Sequence, residues 1–134
     1  PYDFGGGAAP LFYSYRCAKR LATFIKGKKT RIAAMTASFN LKTEQLNGTY
    51  ELVICGQDDD SPEKCPILIE LNGNTVFQGA NTFDRFGWNI RRFSIAAGLL
   101  KEGANSLVIR NLSDSGNISG PPFFILNYAI LQKK

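Results

Sequence analysis

Apolar and polar residues alternate along most of the chain, and from residue 31 onward the alternation has the period of a strand. Tyr50, Leu52 and Ile54 interleave with Glu51, Val53 and Cys55, and Leu107 and Ile109 with Val108 and Arg110. A period of two places alternate side chains on opposite faces of a sheet. Seven segments, 31–41, 49–55, 67–71, 75–78, 89–95, 106–110 and 123–131, are short, rich in β-branched and aromatic residues, and bounded by Gly, Pro, Asn and Asp. Each predicts a strand. Residues 11–25 carry two patterns at once. Leu11, Tyr15, Ala18, Ala22 and Ile25 recur at helical spacing, whereas Phe12, Tyr13, Tyr15 and Phe24 favour a strand; both readings stand. Residues 1–10, with Gly5-Gly6-Gly7, read as a linker or a loosely docked leading strand, and 11–134 as one domain.

The punctuation between strands narrows the fold. Asn72-Gly73-Asn74 joins two strand patterns and signals a tight hairpin, because Asn and Gly accept positive φ. The stretch near 97–102 reads as one short helical turn closed by Gly103. Turn signals about every ten residues specify an all-β protein. We expect a two-sheet antiparallel jelly-roll β-sandwich with Greek-key connections. In an antiparallel chain each connection switches ends. If the 72–74 hairpin marks the bottom, then 56–65, 79–88, 111–122 and 26–29 share the top, and 96–105 returns to the bottom. The top then carries the long polar loops, where binding usually sits on a rigid sandwich.

Composition removes several functions. The chain of 134 residues has no His and three Cys. A Ser-His-Asp or Cys-His system cannot be built, nor a zinc site that needs imidazole. No run approaches the ~20 apolar residues of a membrane span, and the first residues lack the pattern of a secretory leader, as expected of a mature or excised piece of a larger protein. The net charge of +5 is uneven: residues 1–42 carry +7 and residues 43–134 carry −2. The basic residues match no nucleic-acid motif, so no nucleic-acid partner is expected. Lys26, Lys28 and Lys29 form a basic loop tip that would suit an acidic glycan.

Three groups on the top loops carry candidate chemistry. Asp58, Asp59 and Asp60 are adjacent carboxylates, which repel one another unless solvated or bound to a cation such as Ca²⁺. Asn81, Asp84, Arg85, Phe86 and Trp88 combine rings with amide, carboxylate and guanidinium groups. A sugar stacks its apolar face on a ring and hydrogen-bonds its hydroxyls to such groups. Trp88 can equally plug the core, and Phe83 is expected there. Asp114 and Asn117 sit on a third, polar loop and form a rim. A carboxylate pair for glycoside hydrolysis, Asp58 or Asp60 with Asp84, is the weakest reading.

Cys55 and Cys65 bracket the acidic loop. A bridge would close an eleven-residue ring, worth roughly 3 kcal/mol on a chain-entropy estimate, and would require an oxidising compartment. Cys17 could pair with either instead, or all three could be reduced and buried.

Residues 66–79 run from an apolar strand through Asn72-Gly73 to a second strand. Residues 93–111 contain Leu99-Leu100-Lys101-Glu102-Gly103-Ala104-Asn105 before another apolar strand, and Pro121-Pro122-Phe123-Phe124 precedes the last. This pattern resembles galactose-binding-like jelly-roll domains, found as carbohydrate-binding modules and accessory domains of bacterial glycan-degrading enzymes. It covers roughly 55–131. The resemblance implies a non-catalytic module of a larger extracellular or periplasmic protein, monomeric, binding a plant or microbial polysaccharide or oligosaccharide. A structural Ca²⁺ is common in the group. The competing expectation is an accessory domain that packs on a catalytic neighbour without binding sugar.

Overall fold

A computed structural model describes residues 11–13, 23–59 and 61–134. Nine strands follow in order: β1 (Leu11–Tyr13), β2 (Thr23–Ile25), β3 (Ala34–Leu41), β4 (Tyr50–Asp58), β5 (Pro66–Leu71), β6 (Asn74–Ala80), β7 (Asn89–Ile95), β8 (Gly103–Asn111) and β9 (Phe124–Lys133). They form two antiparallel sheets. The first has the order β1-β9-β4-β7, with β2 also paired to β9, and the second β3-β8-β5-β6. Sequence neighbours β4 and β5, β6 and β7, and β8 and β9 lie in different sheets, which is the crossing pattern of a jelly roll. Among the described residues no helix is long and apolar enough to cross a membrane.

The alternation read from the sequence is the alternation observed. Met35, Ala37, Phe39 and Leu41 of β3 point inward, as do Ile67, Ile69 and Leu71 of β5 and Leu107 and Ile109 of β8. Leu52, Ile54, Phe83, Phe124, Leu126 and Leu131 meet them from the other side. Burying one such side chain contributes about 1.5–3 kcal/mol. The register of β9 against β4 shifts between Cys55 and Gly56, so that Cys55 faces Tyr128 and Gly56 faces Leu126, and Asn127 is skipped. Gly56 is required there: a Cβ would stand 2.6 Å from the Phe124 ring and 2.8 Å from the Ile125 carbonyl. Beyond this point Asp58 pairs with the inward Phe124. The last residue of β4 therefore carries its carboxylate between the sheets.

At the bottom, Asn72 and Gly73 take φ of 52° and 79°, the two positive values that a two-residue hairpin needs. The segment expected as a helical turn near 97–102 is instead one hydrogen-bonded turn, Leu99 N–H to the Ala96 carbonyl at 3.3 Å. Asn105 ties down its far end, accepting from Lys101 N–H and donating to the Lys101 and Gly103 carbonyls. The helical residues described are a 3-10 turn, Thr43–Leu46, between β3 and β4.

Candidate functional site

Four crossings between the sheets, 26–33, 59–65, 81–88 and 112–123, meet at the end opposite the hairpin. Backbone bonds join them. Asp58 N–H reaches the Asp84 carbonyl at 2.9 Å and Asn81 N–H the Cys65 carbonyl at 3.1 Å. Lys28 and Lys29 N–H reach the Ser113 and Ser115 carbonyls at 2.9 and 3.0 Å. The loops assigned to the top by parity are together.

Beneath the loops lies a buried polar floor, and the aspartates belong to it. Asp58 and Asp59 are enclosed, not a solvated acidic turn. Asp58 Oδ1 accepts from Cys65 N–H at 3.1 Å and from Asn81 Nδ2 at 2.7 Å. Asp59 Oδ1 accepts from the Ser61 N–H and hydroxyl, and Oδ2 from Phe123 N–H at 2.7 Å. Asp58 Oδ2 alone has no hydrogen-bond partner among the described residues. The Lys64 ammonium stands 3.9 Å from it and donates to the Phe83 carbonyl.

This arrangement does not suit Asp58 and Asp59 as Ca²⁺ ligands. Three of their four oxygens are already taken by protein donors, and the fourth faces a cation. Asp60 lies outside the described residues, among which no three metal-ligating side chains converge. A structural Ca²⁺ would need other oxygen ligands. The hydrolytic pair fails on geometry too. Asp58 is sealed from solvent, whereas the Asp84 carboxylate is largely exposed, 3.8 Å from Arg91.

Asn81 is likewise not a surface contact. It is buried, its amide donates to Asp58 and to the Cys65 carbonyl at 2.7 Å each, and its carbonyl accepts from Phe83 N–H at 3.0 Å. Phe83 is fully buried, as expected, with its ring 5.0 Å from that of Phe124. These two residues anchor the root of the 81–88 loop. Asn89 closes the other side, accepting from Asp84 N–H at 3.1 Å and donating to the Gly87 carbonyl at 3.3 Å. Gly87 turns the chain at φ 73°.

The loop tip is thereby held out to solvent. Phe86 is 81% exposed and Trp88 43%, so Trp88 is no core plug. Arg85 is exposed, and its carbonyl accepts from Gln57 Nε2 at 3.3 Å. Arg85 and Phe86 form one wall of an open hollow of roughly 300 Å³ that Gln57, Asp59, Phe123 and Ile125 also line. Phe123, Ile125 and Gln57 were not singled out by sequence. A signal existed: Phe124 and Leu126 are core residues, so Phe123 and Ile125 must face outward.

The rim does not join this group. Asp114 and Asn117 lie on the loop that binds 28–29, and neither lines the hollow. Asp114 pairs with Lys29 at 3.3 Å, both largely exposed. Asn117 Oδ1 accepts from Ser119 N–H and hydroxyl at 3.1 Å each, a local turn. Of the basic tip, Lys26 is buried, with Nζ 4.0 Å over the Phe123 ring. Burial lowers its pKa, and Asp59 opposes the shift. It is not free to meet an acidic glycan.

The bridge between Cys55 and Cys65 is absent; both are free, buried thiols. Cys55 faces away from the core, opposite Tyr128, while Cys65 belongs to the core cluster. Cys65 N–H instead meets the Asp58 carboxylate, three residues beyond Cys55 along β4 and about 10 Å further on. Burial, with Asp58 and Asp59 near, pushes the Cys65 thiol up to about 12. Cys17 lies outside the described residues.

No family model and no curated protein matches the chain. Solved structures do. The C-terminal domain of EclA, a sugar-binding protein, superposes with a TM-score of 0.53 at 13% identity, over 90% of this chain and 83% of that one. A family 35 carbohydrate binding module from Clostridium thermocellum gives 0.50 at 17% identity, over 96% and 90%. At such identities the likeness is one of fold: the chain has the jelly-roll architecture of carbohydrate-binding modules.

Proposed function

We propose that this domain binds a plant or microbial polysaccharide, or its oligosaccharides, reversibly and without catalysis. The observation that carries the reading is the exposed Phe86 on the wall of the hollow that Phe123 and Gln57 also line, with the part-exposed Trp88 two residues further along the same loop. Rings in that setting offer a stacking face, and Gln57, Arg85 and Asp84 offer donors and acceptors for hydroxyls. The fold shared with carbohydrate-binding modules supports the same reading. The domain acts as a monomeric module of a larger extracellular or periplasmic glycan-degrading protein and directs its catalytic neighbour to substrate.

Affinity electrophoresis through gels containing plant and microbial polysaccharides tests the binding. Retardation is expected on at least one, and its loss in Phe86→Ala and Trp88→Ala. A folded domain retarded on none, or variants retarded like the parent, would sink the site.

A second reading rests on Ile90. It is 45% exposed on the edge strand β7, two residues from Trp88, and the two could pack on a catalytic neighbour instead. Fluorescence of Trp88, the chain's single Trp, separates the readings. A shift with glycan favours binding; a shift only with the neighbouring domain favours packing.

A further inference from the structure

The acidic loop poses an electrostatic problem that the described donors do not fully solve. A carboxylate with no solvent access is stable only when its charge is compensated and its lone pairs are used. Asp58 has one oxygen satisfied twice and one, Oδ2, without a hydrogen bond. The cation nearest that oxygen is Lys64, 3.9 Å away. The same ammonium donates to the Phe83 carbonyl, on the loop that carries Phe86 and Trp88. It therefore faces a carboxylate on β4 and a carbonyl oxygen on the 81–88 loop.

We infer that the Lys64 ammonium is the resident cation of this apex, holding the 81–88 loop against the buried Asp58 carboxylate in place of a metal ion. Three features of the chain support it. Lys64 lies on the short 59–65 crossing, within reach of both partners, and its side chain is 40% exposed, so it spans from solvent to the sealed carboxylate. The remaining oxygens of Asp58 and Asp59 are taken by Cys65, Asn81, Ser61 and Phe123. The two loops are also bonded directly, through Asp58 N–H to the Asp84 carbonyl and Asn81 N–H to the Cys65 carbonyl, so the ammonium completes a seam already made. Lys64 is thus a positioning residue: it fixes where Phe86 and Trp88 stand without meeting ligand itself.

The consequence is measurable without any glycan, so its failure is distinct from a failure of the binding proposal. Trp88 reports on the loop as the chain's single Trp. Unfolding and Trp88 anisotropy are followed for the parent, Lys64→Met, Lys64→Arg and, as a matched charge loss elsewhere at the apex, Lys28→Met. In the parent, EDTA and millimolar CaCl2 leave both readings unchanged. Lys64→Met lowers Tm by roughly 5 °C and, well below Tm, lowers Trp88 anisotropy and raises its quenching by acrylamide. Lys64→Arg and Lys28→Met stay near the parent. A lower Tm alone would fit any structural lysine; the looser Trp88 in the folded state would not. EDTA loosening Trp88 in the parent, or Trp88 as ordered in Lys64→Met as in the parent, overturns the inference. If Lys64→Met does not fold, the parent with EDTA and CaCl2 and the behaviour of Lys64→Arg decide it.

Discussion

At the base of the sandwich two asparagines join the turns, and at the apex two aspartates join the loops. Asn72 donates to the Leu99 carbonyl and to Asn105 Oδ1 at 2.8 Å each, and accepts from Ser106 N–H at 2.9 Å. Asn105 is buried and uses both its amide donors and its carbonyl. The base is neutral and saturated. The apex floor is charged, is compensated by Lys26 and Lys64, and leaves one oxygen without a hydrogen bond. A neutral network fixes turns at low electrostatic cost. A charged one costs desolvation and depends on partners from other loops. The base therefore closes the fold, and the apex holds long loops in one arrangement and presents aromatic rings above it.

Breaking the base should have the largest effect on stability. Asn105→Ala strands the Asn72 amide and three backbone groups, and a loss of about 3–4 kcal/mol is expected in urea unfolding, with glycan retardation retained by whatever remains folded. Equal losses of stability and binding would mean the two ends are not separable. Asp59→Ala comes next, at about 2–3 kcal/mol, because it frees Phe123 N–H and removes the charge facing Lys26. Here binding should fall together with stability, since Phe123 lines the hollow. Phe86→Ala reverses the base result: stability within about 0.5 kcal/mol of the parent, and glycan affinity down about tenfold or more, or ~1.4 kcal/mol.

The smallest effect concerns Cys65. Its thiol is raised from 9.0 to about 12 when folded, so the folded state holds a proton that the unfolded chain loses first. The stability this contributes is complete below pH 9 and declines as pH rises from there towards 12. Urea unfolding at pH 8 and pH 10 should show a steeper decline in the parent than in Cys65→Ala. At pH 8 a thiol reagent should label Cys65 only after unfolding. Rapid labelling of the native domain would contradict the buried placement.

Much of the fold was legible locally. All seven strands expected from 31 onward exist, because alternation with a period of two is the direct imprint of a half-buried strand. The segment near 97–102 makes a single turn and no helix, because Gly98 takes a positive φ and the Asn105 side chain occupies the Lys101 and Gly103 backbone groups, and a spacing pattern does not register such bonds. The site was legible in part. Arg85, Phe86 and Trp88 are where loop position and residue type suggested. Asn81, Asp58 and Asp59 are polar residues on the same loops, yet they are buried, because Asp58 continues the inward row of Leu52 and Ile54 and all three find partners on other segments, at Cys65 and Phe123 among them.

The sequence alone determined the strands, the two-residue hairpin at Asn72-Gly73, the ends at which loops gather and the absence of imidazole chemistry. These follow from periodicity, φ preference and composition, which are properties of neighbouring residues. Only the tertiary structure decided which polar side chains face solvent, that Cys55 faces away from the core while Cys65 lies within it, and that Lys64 stands between Asp58 and the loop of Phe86 and Trp88. Those outcomes depend on strand register and on groups far apart in the chain, such as Asp59 and Phe123, meeting in space.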